Sequence, residues 1–303
     1  MKKINVALDW TVNTNHSCFV IAQEKGWYAE NGLAVNLTTP AEDNYALTPV
    51  KRLELGLAEI AICPFESIIS YRKKQNPFYI KALATVFQED TSAIVTLKRA
   101  DIQSPKDLDN KLYASYKARY EDKIVAQMVK NAGGEGRLEI SYPDKLGIWN
   151  TLIQGKADAT WIFENWEGIQ AERKNIPLSS FKMSDYGIPY AYSPVIVAAE
   201  EIIDKSALEL KKFMEITKKG FVYAMENPFQ AAELLKKNVP EEDADPLFLL
   251  AAQNSANQYY GTKSNWGYMD DSKVQTFLNW LIENDLENEL PAASELIVQN
   301  LIF

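Results

Sequence analysis

Apolar residues along this chain fall in short runs, and most runs stop at polar or aromatic residues before a helical spacing begins. Residues 3–9 read as a strand and 16–25 as a helix that Gly26 ends. The alternation from 33 to 37 predicts a second strand. A helix over about 47–55 stops at Gly56, ahead of a buried strand at 59–62. The order β-α-β-α-β predicts a parallel sheet covered by helices. The pattern then predicts a helix at 67–72, extended segments at 79–88 and 92–97, and a helical turn at 104–108 capped by Ser104, with Pro105 at its first position. A strand at 112–115, a helix at 120–131, strands at 138–141 and 157–163, and a helix at 145–154 between them make a second such set.

Gly155-Lys-Ala-Asp-Ala-Thr-Trp161 echoes Gly56-Leu-Ala-Glu-Ile-Ala-Ile62, so each set carries a helix–Gly–strand unit. We therefore expect two α/β lobes, residues 1–90 plus 195–303 and residues 91–194, with a ligand cleft between them. An extended segment at 189–198 is expected to return to the first lobe. Helices at about 206–226, 228–238, 246–258 and 270–285 are expected to pack on that lobe.

Composition narrows the function. The chain has 303 residues and a formal net charge of −9, which argues against a nucleic-acid partner because phosphate neutralisation needs clustered Lys and Arg. Two cysteines, Cys18 and Cys63, are too few for a disulfide framework or a zinc site, and the single histidine, His16, argues against histidine-based metal binding. No run of 18 apolar residues is present, so no membrane insertion is expected. The start shows no leader, so the chain as written reads as cytoplasmic, and as periplasmic or extracellular if a leader was removed.

In an open α/β sheet ligands sit at the carboxyl ends of strands. Asp9 and Trp10 end the first strand, offering an acceptor and a flat stacking face, though a core Trp beside a capping Asp fits equally well. Asn13 and His16 supply polar groups before the next helix, where Asn15 is the candidate N-cap. Phe65 and Glu66 follow the strand at 59–62, and a Glu66 carboxylate can take two hydrogen bonds from an aminopyrimidine edge. Ser115, Tyr116 and Arg119 link a strand to a helix and form the one candidate anion site. Glu164 and Trp166, then Tyr186, Tyr190 and Tyr192, are further polar-aromatic clusters. No nucleophile–base pair, catalytic residue, metal site or cofactor motif accompanies them. The residues point to a binder of a flat polar molecule.

Leu8-Asp-Trp-Thr-Val-Asn-Thr-Asn-His16, Ala22-Gln-Glu-Lys-Gly-Trp-Tyr-Ala-Glu-Asn-Gly-Leu33, Leu55-Gly-Leu-Ala-Glu-Ile-Ala61 and Gly155-Lys-Ala-Asp-Ala159 carry a resemblance. The chain resembles the family that unites fungal thiamine-pyrimidine synthases with bacterial thiamine-pyrimidine and alkanesulfonate binding proteins. The resemblance implies a two-lobed type-II periplasmic-binding-protein fold and a pyrimidine precursor of thiamine as ligand. It also implies an ABC transporter permease as partner if the protein is exported. The fungal synthases carry a pyridoxal-phosphate lysine and a donor histidine where this chain has Cys63 and Ser67. A binding protein is therefore expected before an enzyme. A synthase with other active-site residues, or a binder of a sulfonate or a flavin, stands as the alternative.

Overall fold

A computed structural model describes residues 1–143, 147–190 and 192–302. The chain divides into two compact units: residues 1–90, 192–274 and 291–303 in unit 1, and residues 91–191 and 275–290 in unit 2.

Unit 1 holds a five-stranded sheet in the order β2-β1-β3-β10-β4. Its strands are β1 (Lys2–Ala7), β2 (Leu33–Thr38), β3 (Ile60–Cys63), β4 (Ile80–Thr85) and, much later in sequence, β10 (Val195–Ala199). Unit 2 holds β5 (Ser92–Leu97), β6 (Leu112–Ala114), β7 (Glu139–Ser141), β8 (Ala159–Phe163) and β9 (Leu178–Lys182), in the order β7-β6-β8-β5-β9. β3 is buried at all four positions, which explains its unbroken apolar run: a central strand faces helices on both sides.

Neither sheet is wholly parallel. β1 runs parallel to β2 and β3, while β10 runs antiparallel to β3 and β4. In unit 2, β6 is parallel to β7 and β8, and β5 is antiparallel to β8 and β9. The reversed strand takes the fourth place in each sheet. In each it is the first strand after the chain changes unit.

The echoed Gly-x-Ala-acid motif has a physical cause. Gly56 and Gly155 end their helices at φ +68° and +64°. The acid that directly follows the alanine then reaches the adjoining strand: Glu59 Oε2 accepts from the Asn5 amide at 2.7 Å, and Asp158 Oδ2 from the Leu112 amide at 3.0 Å. Each carboxylate satisfies a backbone donor at the entry of a parallel pair, which sets the register of β1 on β3 and of β6 on β8.

Three expectations need correction. Residues 275–290 pack with unit 2, not with the first lobe: Arg119 and Tyr120 both donate to Glu287 Oε1, at 2.6 Å, and Tyr190 meets Phe277 edge-on at 5.5 Å. Asn13 caps the short turn Thr14–His16 that leads into the helix Ser17–Glu24: its side chain accepts from the Asn15 amide at 2.8 Å, so Asn15 is the capped residue. Within 189–198, regular strand begins only at Val195. The expected helix at 145–154 is seen as Ile148–Ile153, and its first two positions lie outside the described residues.

Among the described residues no helix is long and apolar enough to cross a membrane. Cys18 and Cys63 are both free and buried.

Candidate functional site

In unit 1 the parallel pairing of β1 with β3, Ala7 opposite Ala61, brings the two strands' carboxyl ends side by side. β10 enters the sheet from that same edge, Val195 opposite Cys63. One edge therefore collects Asp9, Trp10, Cys63, Phe65, Glu66 and Tyr192. Phe65 and Tyr192 are joined directly, the Phe65 amide donating to the Tyr192 carbonyl at 3.2 Å.

Asp9 is the best-defined acceptor at this edge. Its Oδ1 lies 2.7 Å from His16 Nε2, and its side chain keeps 18% exposure while the imidazole has none. The Trp10 indole, half-buried, leans on Tyr45 at 5.6 Å between ring centroids, tilted 55°. Glu66 is buried. Burial pushes the Cys63 thiol far above its ordinary value; the Ser67 hydroxyl works the other way, and the carboxylates of Asp9 and Glu66 raise it further. A thiol kept neutral by burial is a poor nucleophile. Tyr192 is also buried, and its hydroxyl accepts from the Asp270 amide at 2.9 Å.

In unit 2 the corresponding edge carries Ser115 and Tyr116 after β6, and Glu164 to Trp166 after β8. The loop from Ser115 is built around a residue that the sequence reading passed over. Glu121 Oε1 accepts from the Tyr113 hydroxyl at 2.8 Å and the Tyr116 amide at 3.0 Å, and its Oε2 from the Ala118 amide at 3.1 Å. Burial pushes the Glu121 carboxyl up, and these donors pull it back. The amides expected to greet an external anion therefore already hold a carboxylate of the chain.

Arg119, the expected anion contact, is paired with Glu287 at 2.6 Å. Glu164 accepts from the Ser180 hydroxyl at 2.6 Å and pairs with Lys182 at 3.2 Å, both on β9. Trp166 is buried, at 2% exposure. Tyr190 is buried against Trp161, edge-on at 5.2 Å, and half-buried Tyr186 meets Phe181 in the same manner at 6.4 Å. Asp9, Asn13 and His16 form one hydrogen-bonded group; Tyr186 and Tyr190 belong instead to aromatic packing in unit 2.

A family model described as NMT1/THI5 like matches residues 13–231. The chain belongs to the NMT1/THI5-like family. Among its relatives, a formylaminopyrimidine-binding protein of Halalkalibacterium halodurans is 25% identical over 94% of this chain and 86% of its own length. A 4-amino-5-hydroxymethyl-2-methylpyrimidine phosphate synthase of Legionella pneumophila is 21% identical over 79% of this chain and 74% of its own. Among solved structures, the alkanesulfonate-binding protein SsuA of Xanthomonas axonopodis pv. citri, bound to MOPS, superposes with a TM-score of 0.71 over 99% of both chains at 9% identity. The fold of this NMT1/THI5-like chain is the periplasmic-binding-protein fold, α/β with two mixed sheets.

Residues 13–231 take in all of unit 2's strands and the carboxyl end of β3, but begin just past Asp9 and Trp10. Tyr45 and Glu287 carried no signal in the sequence of this NMT1/THI5-like protein. Tyr45 sits in an irregular loop at φ +64°, and Glu287 lies far along the chain from Arg119.

Proposed function

We propose that this chain is a binding protein for a flat, amino-bearing heterocycle, an aminopyrimidine precursor of thiamine, received at the carboxyl edge of unit 1. The observation that carries the reading is Asp9: a carboxylate held in place by His16, part-exposed, beside the Trp10 indole. A fixed acceptor next to a flat apolar face suits a ring that presents N–H donors. The formylaminopyrimidine-binding relative supports the ligand class.

Glu66 is the second acceptor in this proposal, and Asn13, Phe65 and Tyr192 shape its surroundings. Ser115, Tyr116, Glu164 and Trp166, at unit 2's own strand edge, are proposed as further contacts, each to be tested by its own variant. The synthase reading is weaker, because Cys63 and Ser67 stand where the resemblance places the cofactor lysine and the donor histidine. The sulfonate reading is weaker as well, since Arg119 already holds Glu287. Delivery of the ligand to an ABC transporter permease, on the outer side of the cytoplasmic membrane, is part of the proposal; a structure of the same fold described as the ligand-binding component of an ABC-type import system supports it.

Thermal shift with formylaminopyrimidine and with 4-amino-5-hydroxymethyl-2-methylpyrimidine tests the reading. A ligand that binds only the folded state adds about 2.7 kcal/mol at a hundredfold excess over its Kd. Trp10→Ala should abolish most of the shift while leaving the ligand-free melting temperature close to that of the parent. A shift produced by an alkanesulfonate or a flavin and by neither pyrimidine would sink the assignment.

A further inference from the structure

The one histidine of the chain is wholly buried, and both its ring nitrogens are committed. The Asn13 amide donates to His16 Nδ1 at 3.2 Å, so that nitrogen is an acceptor and carries no proton. The ring proton therefore sits on Nε2, which donates to Asp9 Oδ1 at 2.7 Å. An imidazolium, a donor at both nitrogens, does not fit this arrangement. The Asn13 backbone is itself pinned, because the Asn13 side chain caps the Asn15 amide. Cap, imidazole and carboxylate form one chain of orientation: Asn13 fixes His16, and His16 fixes Asp9.

We propose that His16 is a positioning residue for ligand selection. By donating to Asp9 Oδ1 from the buried side, it fixes that carboxylate's orientation, so Asp9 meets the ligand as an acceptor. A dedicated donor matters here because Glu66 is a second carboxylate acting on the same Cys63 thiol. With two carboxylates near that thiol, a fixed N–H donor on Asp9 singles it out as the oriented one. An acceptor-only group prefers an amino or ring N–H edge and rejects a carbonyl edge, whose oxygen would face it without a proton between them.

This inference rests on the proposed function for the identity of the ligand, though not for the pairing of His16 with Asp9. The experiment therefore has two arms. In the first, nitrogen NMR of protein labelled in its single imidazole should show the Nε2-protonated tautomer, perturbed in Asp9→Asn. An Nδ1-protonated tautomer would overturn the proposal.

In the second arm, affinities for a 4-aminopyrimidine and its 4-oxo analogue are compared in the parent, His16→Gln, His16→Leu and Asp9→Asn. His16→Gln keeps an N–H at the Nε2 position and should hold the amino-over-oxo preference within a few-fold. His16→Leu and Asp9→Asn should each lose about tenfold or more of it, as expected for a hydrogen bond to a charged group. If every His16 variant loses melting temperature with the preference unchanged, His16 only completes the cap and the proposal fails. Should the parent bind neither pyrimidine, the pyrimidine reading falls, and the imidazole spectrum still decides the pairing.

Discussion

Gly220 lies where the helix Ala207–Glu226 crosses the helix Ser17–Glu24, and a Cβ there would stand 2.3 Å from the Cys18 carbonyl oxygen and 2.9 Å from the Cys18 carbonyl carbon and Cα. Every contacted atom is backbone, so no side chain can swing aside. Gly220→Ala must push two packed helices apart by roughly 1 Å in an interior that tolerates little empty or excess volume. The displacement strains the stacking of Phe213 on Phe19 and Tyr28, and the hydrogen bond from Tyr28 to Thr217 at 2.8 Å. Overpacking of this kind costs up to about 3 kcal/mol, and alanine's better helix propensity returns about 1 kcal/mol. The net loss is about 2 kcal/mol. Urea titration should show a lower midpoint with an unchanged slope, and thermal melting a drop of about 4–8 °C for a body of this size. Gly168→Ala is the control: its Cβ would meet only the Glu164 Cβ, at 3.4 Å, and stability should hold or rise. If Gly220→Ala proves as harmless as Gly168→Ala, the close helix approach is wrong.

Asn13→Ala removes the acceptor for the Asn15 amide and should cost about 1 kcal/mol in a urea melt, the usual value of an N-cap; an unchanged midpoint would show that the cap contributes nothing. Burial pushes the Cys18 and Cys63 thiols well up, while in the unfolded chain a thiol titrates near 8.5. Their folded-state pKa values lie above the unfolded one, so their contribution to stability is complete below about pH 8.5 and drains away as pH rises beyond it. Stability measured across that range should fall more steeply in the parent than in Cys63→Ala, and native protein should resist alkylation until unfolded; equal slopes would refute the shift.

The sequence made the strand–helix alternation legible where burial dictates composition. β3 and β10 are apolar throughout because both faces are covered, and Ser92–Leu97 was found at its true limits for the same reason. β9, Leu-Ser-Ser-Phe-Lys, escaped notice because an edge strand buries only Phe181 well and leaves Lys182 exposed. The site was legible in part. Asp9, Asn13 and His16 are close in sequence, so their grouping follows from one tight turn. The partners that occupy Arg119 and Glu164 come from Glu287, Ser180 and Lys182, and pairings across such distances leave no local pattern. Glu121 was hidden for another reason: a buried carboxylate in a helix's first turn reads as an ordinary surface acid until its three donors are seen.

The fourth position of the unit 1 sheet has a consequence for synthesis on the ribosome. β4 has no neighbouring strand in that sheet other than β10, and β10 alone lies between it and β3. Residues 1–90 can pair β1 with β2 and β3, yet they leave β4 without its strand partner until residue 199 has been made. More than a hundred residues must be added first, roughly 6 to 20 seconds at common elongation rates. During that interval two apolar strand edges stand open, the kind of surface that recruits chaperones or a second nascent chain. The unit 2 sheet is drawn from one continuous stretch, β5 to β9, and needs no such wait. The middle of the chain can thus complete its sheet before β10 closes the sheet begun by the N-terminal strands.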